Sequence, residues 1–131
     1  MATIIKEVEI NRSKEFVWDA IRDVGNIHKR LVVGFVADCK LEDDWRTVTF
    51  ANGMVVRELI VSIDDEICRH AWSVRADMLE HHNASVQVFS EGPDKCRAVW
   101  IADVMPHAVA GPIEQMVQQG LKAMKQTLEK A

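Results

Sequence analysis

The chain has 131 residues, 48% of them hydrophobic, and its 16 basic and 20 acidic residues give a formal net charge of −4. That size and composition describe a single globular domain over residues 1–131, large enough to bury a core. Lys and Arg are scattered among the acids rather than grouped, which excludes nucleic acid as a partner, because phosphate binding needs clustered cations.

The opening stretch "MATIIKEVEINRSKEF" lacks the basic segment and long apolar core of a signal peptide, and the apolar runs fall short of a membrane span. A cytoplasmic protein without membrane insertion is expected. Cys39, Cys68 and Cys96 are odd in number and distant in sequence, which argues against a disulfide framework and for three reduced, buried thiols.

"TIIKEVEI" alternates, with Ile4, Val8 and Ile10 on one face, as a half-buried strand does. Asn11 or Ser13 can cap the helix that follows, with Glu15 in its first turn. Val17, Ala20, Ile21 and Val24 recur at helical spacing and predict one buried face. Gly25-Asn26 interrupts that helix, and a second short helical piece or turn is expected before Gly34.

From Phe35 to Val104 the pattern is antiparallel β. Asn52-Gly53 marks a hairpin, and Asp64-Asp65 and Glu91-Gly92-Pro93-Asp94 mark two further turns. His70, Trp72 and Val74 alternate with Arg69, Ala71, Ser73 and Arg75, so one face of that strand is buried. The longest helix is predicted to start near Pro112. Its apolar stripe is Val109, Ile113, Met116, Val117, Gly120, Leu121, Met124 and Leu128.

This order resembles the helix-grip fold of the SRPBCC superfamily, in particular its polyketide cyclase/dehydratase and lipid-transport-like members. The resemblance runs along nearly the whole chain: "SKEFVWDAIRDV" resembles the first helix, "NGMVVRELIVSIDDEICRHAWSV" the central hairpin, "VWIADVMP" the last strand and "GLKAMKQTLEK" the end of the last helix. It implies an α+β fold in which a curved antiparallel sheet of about seven strands wraps a long C-terminal helix, with one or two short helices after the first strand. It also implies a cavity between sheet and helix for a small apolar molecule. Against the plant hormone receptors of the superfamily, Ala37 stands near the place of a cavity lysine, "ANG" replaces a longer gate loop and Ala98 replaces a second acidic position. Hormone signalling therefore does not carry over.

Glu58 lies within the apolar strand "VVRELIVSI", and its face depends on the loop that follows. A two-residue loop at Asp64-Asp65 sets Glu58 opposite Ala71, facing solvent. A three-residue loop, Asp64 to Glu66, sets it opposite Trp72, facing inward, because a one-residue slip exchanges the faces. The resemblance implies the inward arrangement. An inward Glu58 would have His70 and His82 as partners, and such a carboxylate–imidazole pair could move protons in a cyclisation or dehydration.

The residues expected to line the cavity are Glu58, Ile60, His70, Trp72, His82, Trp100, Ile113, Met116, Val117 and Gly120. Gly120 would open space on the last helix, or else let a strand approach it closely. Met105, Met116 and Met124 would add polarizable lining, and Ser62 further polarity. His81 and His82 adjoin on a strand and point to opposite faces, so neither a metal site nor a cofactor is expected.

The expected function is binding of a small, largely apolar ligand: a lipid, an aromatic or a polyketide-like molecule. One alternative is a cyclase/dehydratase-like enzyme in which Glu58, His70 and His82 are catalytic. Another is a protein-interaction module with a packed interior. A homodimer is left open.

Overall fold

A computed structural model describes residues 2–131. Seven strands run β1 (Ala2–Ile10), β2 (Val36–Glu42), β3 (Trp45–Phe50), β4 (Val55–Asp64), β5 (Arg69–Arg75), β6 (His81–Ser90) and β7 (Cys96–Met105). Helices α1 (Lys14–Arg22) and α2 (Ile27–Arg30) separate β1 from β2, and α3 (Ala110–Lys130) closes the chain. The pairings between these strands are all antiparallel, in the spatial order β1-β7-β6-β5-β4-β3-β2. Hairpin connections account for every neighbour except β1 beside β7. The sheet curls around α3 in a helix-grip arrangement.

The helices end where local chemistry requires. Ser13 caps α1, its Oγ accepting from the Phe16 amide at 3.1 Å. Val17, Ala20, Ile21 and Val24 are all buried. A single 3₁₀ turn, His107–Val109, leads into α3, which therefore begins slightly before Pro112. Ile113, Val117, Leu121, Met124 and Leu128 on the α3 stripe are buried against the sheet. Polar ties fix the helix along β1: Lys6 reaches Glu114 at 3.1 Å, Lys125 donates to the Glu9 carbonyl at 2.7 Å, and Glu129 accepts from the Asn11 amide at 2.8 Å.

The β4–β5 connection differs from both sequence-based expectations. Its loop is Asp65 to Cys68, and Ile63 pairs with His70 rather than with Glu66 or Ile67. Asp64 organises the turn, its Oδ1 accepting from the amides of Glu66 and Ile67 at 3.0 and 3.3 Å. Cys68 closes it in the left-handed region with φ 53°. Continued without interruption, that register would set Glu58 opposite Arg75 on the outer face. A β-bulge at Val61 intervenes: Ser62 pairs with Ala71, but Ile60 pairs with Trp72 and Glu58 with Val74. The extra residue reverses the alternation and turns Glu58 inward.

Candidate functional site

A cavity of about 320 Å³ lies between the sheet and α3. Its walls come from β2 to β7, from the α1–α2 region (Ile21, Ile27, Leu31 and Val32) and from α3. The lining residues that are also exposed are Met78, Ala108 and Pro112, which places the mouth between the β5–β6 loop and the start of α3.

The cavity's ionic feature is a buried pair that the sequence reading missed. Arg46 Nε donates to Glu58 Oε1 at 2.7 Å, with the side chains 4% and 9% exposed. The pairing follows from register, because Arg46 stands directly opposite Glu58 across β3 and β4. A second guanidinium nitrogen, Nη1, donates to the Val24 carbonyl at 3.1 Å just beyond α1. Both charges are thus met by specific partners, as burial requires. The expected partnership of Glu58 with His70 or His82 is corrected: among the described residues, its hydrogen bond is to Arg46.

His70 instead sets its Nδ1 3.1 Å from the Ser62 carbonyl oxygen. Its ring stacks on Trp72 with centroids 4.9 Å apart, and Trp72 meets Trp100 edge-on at 5.5 Å. His82 lies on the inner face of β6, while neighbouring His81 is exposed. Burial holds both inner histidines neutral. His70 is lowered to about 4 by burial and then by the nearby Arg46 charge, and His82 to about 4 by burial and then by His81. His70 Nε2, His82 Nδ1 and Trp100 Nε1 are buried without hydrogen-bond partners among the described residues. Each lies on a residue that lines the cavity.

Of the residues expected to line it, Glu58, His70, Trp72, His82, Trp100, Ile113, Met116 and Val117 do so. Ile60 does not. It sits half-buried beside the bulge that bends β4. Gly120 also stays outside the lining, because the Trp100 ring covers it: a Cβ there would lie 2.8 Å from Trp100 Cζ3. The glycine therefore admits a strand side chain against the helix rather than opening space.

Met116 and Met124 line the cavity, but Met105 is exposed. Ser62 is exposed and contributes its carbonyl rather than a cavity hydroxyl. Met54, Met78 and Leu79 are lining residues the sequence reading did not single out. The three cysteines are free and buried, and burial raises the thiols of Cys39 and Cys96, the latter to about 11. Neither is activated as a nucleophile. Among the described residues, no helix is long and apolar enough to cross a membrane.

The family described as "Polyketide cyclase / dehydrase and lipid transport" matches residues 1–129. No curated protein matches the chain. Among solved structures, an uncharacterized protein from Bacillus thuringiensis is similar with a TM-score of 0.86 at 19% identity, covering 97% of this chain and 98% of that one. The di-domain ARO/CYC protein BexL of the BE-7585A biosynthetic pathway gives 0.85 at 8% identity, covering 98% of this chain and 47% of that one. Norcoclaurine synthase from Thalictrum flavum, in complex with dopamine and hydroxybenzaldehyde, gives 0.72 at 18% identity, covering 98% and 84%. At such identities the likeness carries the fold alone.

Proposed function

The chain belongs to the polyketide cyclase / dehydrase and lipid transport family, and from that premise we propose that it binds a small, largely apolar molecule between sheet and α3. The observation that carries this reading is the cavity of about 320 Å³ between sheet and α3, walled mainly by apolar side chains with Arg46, Glu58, His70 and His82 among them. Its volume falls at the lower end of the range typical of small-molecule sites. Apolar walls supply the free energy of transfer from water, and a few polar atoms fix orientation.

Two rival readings have less support. A proton shuttle built on Glu58 and a histidine lacks its pair, because Arg46 holds the carboxylate. An interaction module needs a packed interior, which a cavity of this size opposes.

Titration with a neutral dye that fluoresces in apolar surroundings, such as N-phenyl-1-naphthylamine, tests the reading. Saturable enhancement is expected at a single site. Met116→Trp, which fills the cavity from a half-buried position on α3, should abolish it while the circular dichroism spectrum is retained. Dye binding that fails to saturate, or that survives this substitution, would sink the proposal.

A further inference from the structure

We propose that the ligand presents a neutral cis-amide edge, such as that of a lactam, to the buried ion pair. Its carbonyl accepts from Nη2 of Arg46 and its N–H donates to Oε2 of Glu58. This rests on the binding reading above and adds the chemical class of the ligand to it.

The polar atoms of the cavity wall divide into two sets. Nε2 of His70, Nδ1 of His82 and Nε1 of Trp100 are shut inside the wall, out of a ligand's reach. The ion pair is different. Arg46 spends Nε on Glu58 Oε1 at 2.7 Å and Nη1 on the Val24 carbonyl at 3.1 Å. Among the described residues nothing bonds to Arg46 Nη2 or to Glu58 Oε2, and neither atom is occluded as the ring nitrogens are. Both residues line the cavity. In a guanidinium, Nη2 lies on the same edge as the Nε hydrogen, so it stands on the Glu58 side. The single bond that joins the pair therefore leaves a donor and an acceptor beside it.

Both need an answer, because a buried ion pair is well held only when its remaining protons and lone pairs are also met. Nη2 can only donate, and a carboxylate oxygen can only accept. An ether or a ketone answers Arg46 alone. A carboxylate does the same and faces the charge of Glu58, while an ammonium answers Glu58 and faces Arg46. A hydroxyl carries both senses on one oxygen and would have to reach two atoms from a single point. A cis-amide carries them on neighbouring positions with no net charge, which suits a pair already neutralised. The Arg46 guanidinium carbon lies 5.7 Å from the Trp72 ring centroid, so a planar amide at the pair has an aromatic wall beside it.

Calorimetry with three bicyclic compounds tests the assignment. 2-Quinolone, a lactam, is expected to bind about tenfold more tightly than N-methyl-2-quinolone, which keeps the carbonyl but loses the donor. It should exceed 2-naphthol by a similar factor. The double variant Arg46→Met, Glu58→Leu removes both polar atoms, so the preference for the lactam should disappear. Proton spectra of the unaltered protein add a result independent of any variant's folding: 2-quinolone should shift the Arg46 guanidinium resonances and slow their exchange with water.

Equal affinities for the lactam and its N-methyl derivative, naphthol bound as tightly as the lactam, a preference unchanged in the double variant, or Arg46 resonances unmoved by 2-quinolone would each overturn the amide assignment. Any of these alongside saturable dye binding leaves the cavity reading standing. Loss of dye binding as well would remove both.

Discussion

The buried pair of Arg46 and Glu58 is where a single residue matters most. Each charge is tolerated only because the other lies 2.7 Å away. Arg46→Met strands a buried carboxylate and should lower stability by about 3–5 kcal/mol. Replacing both partners by apolar residues, Arg46→Met with Glu58→Leu, removes the penalty along with the pair and should recover most of that loss. Urea unfolding of the three proteins measures it, and a double variant no more stable than the single one would contradict this account. The inward turn of Glu58 was implied by the family resemblance and not by the residues, which left both faces open, and its partner was not read. The clue lay in the "ANG" turn. Ala51 to Gly53, with Gly53 at φ 92°, sets Phe50 against Met54 and Thr49 against Val55. Counting on from there sets Arg46 against Glu58. The histidines were credited instead because they share the inner face, and sharing a face is a weaker condition than lying directly opposite.

Among the elements, those with strong periodicity were legible, because burial imposes the same spacing on sequence and structure. The α1 face, the alternation of β5 and the α3 stripe are of this kind. The β4–β5 connection was not legible, since its loop length and the bulge at Val61 leave no periodic trace and each alone reverses the face of Glu58. Gly120 was legible only as an oddity on an apolar stripe. Its role depends on Trp100, a residue on another element. Gly120→Ala tests that contact. Alanine favours the helix by about 1 kcal/mol, but its Cβ would meet the Trp100 ring at 2.8 Å, and overpacking typically costs about 1–3 kcal/mol. A net loss of about 1 kcal/mol is expected, with the ring displaced toward the cavity. Thermal unfolding reports the first effect, and weaker dye binding with altered tryptophan emission the second. A more stable variant with unchanged binding would show that Trp100 is not pressed against α3.

For the whole molecule, the cavity and its histidines tie stability to pH. His70 and His82 sit near pKa 4 in the folded protein, against an ordinary value of 6.5. Below pH 6.5 the unfolded chain takes up protons at these rings that the folded chain refuses, so acid favours unfolding. The stabilisation is complete above pH 6.5 and is lost progressively as the pH falls toward 4. Between pH 7 and pH 5 the expected loss is about 2 kcal/mol per histidine, a large part of the 5–15 kcal/mol that holds a typical domain together. Carboxylates add a second, more acidic window. Ion pairs and hydrogen bonds hold Asp23, Asp65 and Asp103 below the usual carboxylate range, so their contribution is lost only as the pH falls below about 4. The two windows can be separated. The double variant His70→Phe, His82→Phe should flatten the loss between pH 7 and pH 5 in urea unfolding and leave the steeper acid limb in place. An undiminished loss in that variant would mean that groups other than the cavity histidines take up the protons. The same variant exchanges two unmet polar atoms for apolar rings but also removes the His70 Nδ1 hydrogen bond to the Ser62 carbonyl, so a loss of about 1 kcal/mol is expected at pH 7. The chain therefore keeps these two histidines in the cavity wall at a cost to acid stability.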